Sequence, residues 1–302
     1  VKLLSIKLLT FEDTPMSYVN SDALVSTQWL ADHMNAPDVH IVDATWFLPN
    51  SGRDPRAEFE QQHIPGAVFF DVDGVVDSNN PLPHMLPSPE KFSSAMRELG
   101  LGDGNRIVVY DTTGTVMAAH RVWWTIRVFG HEDVAVLDGG LGKWVAEGRP
   151  VEDMAARLSR RHFTSHVNNT LVRSREQILH NLETGREQVI DVRSAGRFNG
   201  TEPEPREGLR SGRIPGSMNL PFQKVLDMDN HGTMRPAAEL KVIFEESGLD
   251  LSKPIVTSCG SGVTASTIAF ALHMIGKDDV AVYDGSWTEW GADETCPIET
   301  EN

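Results

Sequence analysis

The chain has 302 residues, of which 40% are hydrophobic and 23% are charged, as is usual for a globular protein. A chain of this length exceeds a typical single domain, so we expect two domains with separate cores. The formal net charge of −16 argues against binding to nucleic acid or to an anionic membrane, because both favour positively charged surfaces. A small anionic ligand would therefore need positive groups close to its binding site.

Cysteine is sparse, with only Cys259 and Cys296 in the chain. So small a number does not describe the disulfide scaffold of a secreted protein, and it favours a reducing compartment, with the cytoplasm as the predicted location. Cys296 is interpreted as a structural or idle thiol. No uninterrupted apolar run approaches the roughly 20 residues that a membrane-spanning helix needs.

Residues 1–19 are predicted to be an N-terminal extension. Their apolar patch is interrupted by Lys7 and is followed by acidic residues, unlike a secretory signal, although a weak organelle-targeting role stays open. We expect about the first 15 residues to be poorly ordered, with Met16 as a candidate start residue.

The first pattern beyond this extension pairs a helix with a strand. Residues 26–35 predict a helix with Ser26 as its N-cap, and residues 39–46 predict a buried strand. The same pair recurs at residues 174–183 and 187–194, where Ser174 begins the helix. The recurrence indicates an internal duplication.

The duplication keeps its register over more than a hundred residues. Asp43 matches Asp191, and Asp111 matches Cys259, both at an offset of 148; other matched pairs keep offsets between 146 and 150. In each copy apolar strand patterns alternate with helical ones, which predicts a mostly parallel sheet. We therefore predict an α/β fold of two tandem domains, each with helices on both faces of its sheet. The predicted bounds are residues 20–150 and 173–302, with a linker at residues 151–172.

The predicted chemistry lies in the loop that begins at Cys259. A β-branched strand pattern precedes the loop and an apolar helix pattern starts at Ala265, while Gly260 and Gly262 allow successive N–H groups to curl inward. Such a concavity above a helix N-terminus favours a thiolate, so Cys259 is a candidate nucleophile. The alternative is an ordinary buried, inert cysteine. The first copy has Asp111 at this position and is predicted to be catalytically silent.

Several motifs in fixed order resemble the two-domain rhodanese family, and within it the 3-mercaptopyruvate sulfurtransferase branch. They are CGSGVTA at 259–265, GRFNGTEPEPREG at 196–208, the paired LDGG and YDGS elements, and HIPGA at 63–67. The resemblance covers about residues 20–298 and implies two rhodanese-like domains. It also implies that Cys259 takes sulfur from a donor as a persulfide, which a thioredoxin-type dithiol protein or cyanide then accepts.

The same resemblance implies the substrate site. Basic residues stand at the positions of Gly260 and Ser261 in the thiosulfate-using branch, whereas both are neutral here, which favours the singly charged donor 3-mercaptopyruvate. Arg197 and Arg206 are implied to bind its carboxylate, and Gly260, Gly262, Val263 and Thr264 complete the predicted substrate-binding set. The alternative is that both arginines are solvated loop residues.

A proton relay is the last implied feature. The family pattern assigns it to Ser261, His84 and Asp73, so that a histidine between a carboxylate and a hydroxyl could move a proton. Otherwise Ser261 would cap the following helix, His84 would be a loop residue and Asp73 a turn former.

Three other functions stay open to different degrees. Thiosulfate:cyanide transfer is the nearest enzymatic alternative, and a non-enzymatic sulfur carrier or regulatory module is the alternative outside enzymes. Cysteine phosphatases of this fold need an arginine six residues after the cysteine, where this chain has Ala265. Because no histidine and cysteine cluster has metal-ligand spacing, no metal and no cofactor is predicted.

Overall fold

The structure is a computed structural model, and it describes residues 17–154, 156 and 159–301. The expectations for residues 1–16, including the candidate start residue Met16, lie outside the described residues. Among the described residues, no helix combines the length and the apolar character that crossing a membrane would require.

The first repeat contains a five-stranded parallel sheet in the order β1-β5-β4-β2-β3. Its strands are β1 (Leu24–Val25), β2 (Val39–Asp43), β3 (Val68–Phe69), β4 (Arg106–Tyr110) and β5 (Val134–Leu137). Its helices are α1 (Thr27–His33), α2 (Pro55–Gln61), α3 (Pro89–Glu98), α4 (Met117–Val128) and α5 (Gly140–Ala146).

The second repeat has a five-stranded parallel sheet with the corresponding order, β6-β12-β11-β7-β8, and an added antiparallel hairpin of β9 and β10. Its strands are β6 (Val172–Arg173), β7 (Gln188–Asp191), β8 (Met218–Asn219), β9 (Leu226–Asp227), β10 (Thr233–Met234), β11 (Ile255–Ser258) and β12 (Val280–Tyr283). Its helices are α6 (Arg175–Thr184), α7 (Ala195–Asn199), α8 (Ala237–Glu246), α9 (Ala265–Met274) and α10 (Ser286–Trp290).

Local sequence accounts for these elements. The Ser26 hydroxyl accepts a hydrogen bond from Trp29 N at the start of α1, and Ser174 forms a full capping box with Gln177 at the start of α6. Along β4, Ile107 and Val109 join one apolar cluster while Val108 joins another, so both faces of the sheet are covered. The predicted α/β fold of two tandem domains is confirmed.

The two repeats pack against each other through α4 and α9. Every α9 residue except His273 is buried, and the Trp123 ring of α4 meets the Phe270 ring of α9 edge to face, with centroids 4.7 Å apart. A single apolar cluster includes residues from both helices and both sheets. The repeats therefore share a core, which differs from the separate cores expected from the chain length. This shared core fixes the position of the Cys259 loop relative to the Asp111 loop.

Each repeat also extends a loop onto the other. Leu86 N of the first repeat donates to Asp284 Oδ2 of the second at 2.9 Å, and Met234 N of the second donates to Asp138 Oδ1 of the first at 2.9 Å. These two contacts correspond under the internal duplication. The reciprocal exchange brings residues 73–86 of the first repeat to the Cys259 loop of the second.

The connecting segment after residue 150 runs along the first repeat. Phe163 is buried against Phe92, and His166 N donates to Phe129 O at 2.9 Å. The segment ends where β6 joins the edge of the second sheet.

Candidate active site

The Cys259 loop connects the central strand β11 to the buried helix α9. Gly262 has φ of 78°, a conformation that an L-residue with a side chain rarely adopts. The amides of residues 260–264 donate no hydrogen bond to any described part of the chain. Five N–H groups without an acceptor in one tight loop are a suitable binding site for an anion.

The start of α10 fixes this loop from outside. Trp287 N donates to Cys259 O at 3.0 Å, and Thr288 N donates to Gly260 O at 2.8 Å. Cys259 N donates to Ser286 Oγ at 3.2 Å. The loop is thus held by its carbonyl oxygens, which leaves its remaining amides available to a ligand.

The corresponding loop of the first repeat contains its own anion. Asp111 Oδ1 accepts hydrogen bonds from Thr113 N and Thr113 Oγ1, and Asp111 Oδ2 accepts from Ala118 N and Ala119 N, all between 2.7 and 3.0 Å. Burial raises the pKa of this carboxyl, while the four donors act against that rise. A carboxylate therefore fills the loop where the second repeat has a thiol.

Cys259 forms part of a cavity of about 390 Å³ between the repeats. Its side chain is only 2% exposed, so the sulfur is reached through this cavity. Val263 and Thr264 also line the cavity, whereas Gly262 does not. A Cβ at Gly262 would lie 2.8 Å from Arg121 Nη1, so this glycine supplies loop conformation and close packing.

The two predicted arginines lie at the same cavity but differ in their partners. Arg197 forms an ion pair with Glu204 at 2.5 Å, and Glu204 also pairs with the buried Arg193 at 2.6 Å. Arg206 has neither a hydrogen bond nor an ion pair within the part of the chain that the structure describes. Burial lowers the pKa of Arg206, and the Coulombic interaction with nearby Cys259 acts in the opposite direction. Arg206 is therefore the cation with free capacity for a ligand.

The three predicted relay residues come together across the repeat interface. His84 Nδ1 lies 3.0 Å from Ser261 Oγ, and His84 Nε2 lies 3.1 Å from Asp73 Oδ1. Ser261 Oγ makes no capping bond to α9 in the described structure, which separates the relay from the capping alternative. Asp73 also accepts a hydrogen bond from Trp46 Nε1 at 3.0 Å. The hydrogen bond from His84 is the main cause that lowers the pKa of Asp73.

A buried ion pair holds His84 in place. Arg121 of α4 donates to Asp284 Oδ1 at 2.7 Å, to His84 O at 2.5 Å and to Gly262 O at 3.3 Å. Both side chains of the pair are 4% exposed. The Arg121 guanidinium thus connects the Cys259 loop, the loop that contains His84, and Asp284 at the end of β12. These contacts fix His84 in its left-handed conformation with φ of 62°.

The family model described as the rhodanese-like domain matches residues 26–147 and residues 174–293. The chain belongs to the rhodanese family.

Relatives of this rhodanese carry two kinds of name. It is 44% identical to the 3-mercaptopyruvate sulfurtransferase of Homo sapiens over 273 residues, which cover 89% of this chain and 91% of the human protein. It is 43% identical to the thiosulfate sulfurtransferase of Rattus norvegicus over 275 residues, covering 89% and 91%. The crystal structure of the 3-mercaptopyruvate sulfotransferase SseA from Escherichia coli matches with a TM-score of 0.80 at 39% identity, covering 88% of this chain and 98% of SseA. Both kinds of relative are about equally similar to this chain, so similarity alone does not distinguish the two sulfur donors.

Some residues of the site in this rhodanese were not identified from the sequence. The first set consists of cavity-lining residues of the first repeat, namely Trp46, Leu48, Thr113, Thr115 and Met117. The second set consists of two charged residues that hold other side chains of the site: Arg121, which pairs with Asp284, and Glu204, which pairs with Arg197. The only signal available was indirect, since Thr113 and Thr115 fall in the loop that duplicates the Cys259 loop. The first repeat therefore lends side chains to the cleft, besides lacking the thiol.

Proposed function

We propose that this rhodanese transfers sulfur from 3-mercaptopyruvate to a thiol acceptor through a persulfide on Cys259. The observation that carries the proposal is the partly buried Arg206 guanidinium, which lies near Cys259 without an ion-pair partner in the described chain. A free guanidinium matches a carboxylate through two parallel hydrogen bonds. Such binding places the sulfur of a short mercapto acid within reach of the thiolate.

The charge of the loop supports a singly charged donor. Gly260 and Ser261 add no positive charge, and a Cβ at Gly260 would already lie 3.1 Å from Arg197 Nη2. Glu204 offsets the charge of Arg197. Among the described residues the cavity thus offers one cation without an ion-pair partner, Arg206, which suits a monocarboxylate better than the dianion thiosulfate.

The proposed transfer conserves atoms and protons. The Cys259 thiol loses its proton to the Ser261–His84 pair, and the thiolate attacks the donor sulfur, which keeps its own hydrogen. The carbon–sulfur bond breaks and its electron pair stays on carbon as the enolate of pyruvate. His84 then returns the proton to that carbon through Ser261, and Asp73 stabilises the imidazolium in between. The free loop amides stabilise the thiolate and the persulfide anion.

For the second half of the reaction we propose a thioredoxin-type dithiol protein as acceptor. One of its thiols takes the outer sulfur, its second thiol then forms a disulfide, and hydrogen sulfide leaves. Leu48, which is 52% exposed, lines the cavity and offers apolar surface to such a protein. Since the thiol of Cys259 has to stay reduced, we place the reaction in a reducing compartment, the cytoplasm or an organelle with a thiol pool.

Mass spectrometry tests the first half-reaction. Incubation with 3-mercaptopyruvate is expected to add one sulfur to Cys259 and to release one pyruvate. Cys296 is the internal control, because it is buried and burial raises the pKa of its thiol. The Cys259→Ser variant should gain no sulfur, and a gain that persists in it would contradict the proposal.

Two other results would favour the alternatives. Faster single-turnover persulfidation by thiosulfate than by 3-mercaptopyruvate would favour thiosulfate sulfurtransferase activity, which the rat relative's name suggests. No sulfur gain with either donor would favour a carrier or regulatory module.

A further inference from the structure

The first repeat contributes two threonines to the lining of the cavity that contains Cys259. Thr113 and Thr115 lie on the loop that duplicates the Cys259 loop, and both line the cavity. Their oxygens are 3.0 Å apart. Which of them offers a donor and which an acceptor to a ligand depends on the direction of the hydrogen bond between them.

Asp111 sets that direction. An ionised carboxylate only accepts hydrogen bonds, and Thr113 Oγ1 donates its hydrogen to Asp111 Oδ1 at 2.7 Å. Three of the four hydrogen bonds to Asp111 come from backbone N–H groups, which can only donate, so both of its oxygens act as acceptors. Thr113 Oγ1 has therefore used its only hydrogen.

The consequence falls on Thr115. Since Thr113 Oγ1 has no further hydrogen, the Thr115 hydroxyl is the donor in the hydrogen bond between the two oxygens. The backbone N–H of Thr115 also donates to Thr113 Oγ1, at 3.3 Å. The Thr115 hydroxyl has then also spent its hydrogen. What Thr115 offers to a molecule in the cavity is a pair of acceptor lone pairs.

We propose that Thr115 is a specificity-determining residue that accepts a hydrogen bond from the S–H group of the sulfur donor. This inference rests on the proposed function. The chemical class that it selects is a donor whose transferable sulfur carries hydrogen, such as a mercapto acid. The outer sulfur of thiosulfate carries negative charge and no hydrogen, so the lone pairs of Thr115 repel it.

The contact also strengthens as the reaction proceeds. The donor sulfur keeps its hydrogen while its bond to carbon breaks and its bond to Cys259 forms. A persulfide S–H is more acidic than a thiol S–H, so its hydrogen bond to Thr115 is stronger at the end of the transfer than at the start. An interaction that grows toward the transition state raises the rate and does not only tighten binding.

The first repeat thereby takes a second role in the chemistry. The carboxylate that replaced the nucleophile, Asp111, orients a threonine pair toward the remaining nucleophile. Asp111 thus acts through Thr113 and Thr115 and touches no substrate itself. The Asp111 loop, which has no thiol, thus helps to select the sulfur donor that reacts with Cys259.

Single-turnover persulfidation of Cys259 by 3-mercaptopyruvate and by thiosulfate tests the proposal in three proteins. They are the full chain, Thr115→Val, which keeps the shape but loses the acceptor, and Thr115→Ser, which keeps the hydroxyl. The ratio of the two rates is the readout, because a general distortion of the loop would lower both rates together. In Thr115→Val we expect the ratio to shift toward thiosulfate by about fivefold to tenfold, the effect of losing one hydrogen bond. Thr115→Ser should keep the ratio of the full chain.

Two results would overturn the inference. One is an unchanged ratio in Thr115→Val, and the other is an equal shift in Thr115→Ser, which would assign the effect to packing of the methyl group. Failure of the proposed function is distinguishable, because the unmodified chain would then not be persulfidated by 3-mercaptopyruvate at all.

Discussion

Arg197 is paired with Glu204, whereas Arg206 has no ion-pair partner in the described chain, and this difference predicts opposite effects of the two residues on activity and on stability. In Arg206→Gln the substrate carboxylate loses a free guanidinium that can supply charge-assisted hydrogen bonds, each worth about 1.5–3 kcal/mol. Loss of one such contribution lowers kcat/KM for 3-mercaptopyruvate between roughly tenfold and a hundredfold. Arg197→Gln should cost less activity, about fivefold, because Glu204 already offsets the charge of Arg197.

The effect on stability should be the reverse, with Arg197→Gln less stable than Arg206→Gln. Arg206 has no ion-pair partner in the described chain, and burial disfavours its charged form, so Arg206→Gln should not lower the free energy of unfolding. In Arg197→Gln the carboxylate of Glu204, whose side chain is 2% exposed, keeps only Arg193, and the protein should lose stability.

The measurements are steady-state pyruvate release over a range of 3-mercaptopyruvate concentrations and urea unfolding of the same three proteins. The matched glutamine variants share size and polarity, so the comparison isolates the position of the charge. If Arg197→Gln lost as much activity as Arg206→Gln, or if only Arg206→Gln were destabilised, the assignment of Arg206 as the free cation would be wrong.

Two further predictions concern the ion pairs that hold the His84 loop in place. Asp73→Asn should lower kcat with little change in KM. The pKa of Asp73 is lowered from 3.8 in the folded protein, so the ionised carboxylate stabilises the fold. This stabilisation is present above pH 3.8 and is lost as the pH falls through the pKa of the folded protein. Urea unfolding of the full chain and of Asp73→Asn from pH 6 to pH 3 should therefore converge, and a gap that widens toward acid would contradict the pairing with His84. Arg121→Ala leaves Asp284 buried without its partner and should cost roughly 3–5 kcal/mol of unfolding free energy. Arg127→Ala on the same helix is its control, since Arg127 has no ion pair among the described residues, and similar losses in both variants would refute the role of the Arg121–Asp284 pair.

The fold could be predicted largely from the sequence because the duplication shows each element twice. Ser26 and Ser174 mark matching helix starts, and both predicted strands that follow them are present as β2 and β7. The fixed register between Asp111 and Cys259 placed both loops at the carboxyl ends of central strands. Local signals repeated in register are strong enough to define such elements.

The contacts of the site could be predicted only in part. The family resemblance named Ser261, His84 and Asp73, but whether they meet depends on how α4 packs against α9. The sequence also could not distinguish Arg197 from Arg206, because both lie in one polar segment and only the folded chain brings Glu204 to one of them. The threonine pair was missed because hydroxyl residues in a loop carry no sign of the cavity that they face.

The matched contacts of Leu86 with Asp284 and of Met234 with Asp138 describe an approximate dyad within one polypeptide. Two separate subunits related by such an axis would each complete the other's reaction centre, as symmetric dimers do. In a single chain the two sites need not have the same sequence, so one of them can lose its catalytic residue and specialise in substrate recognition.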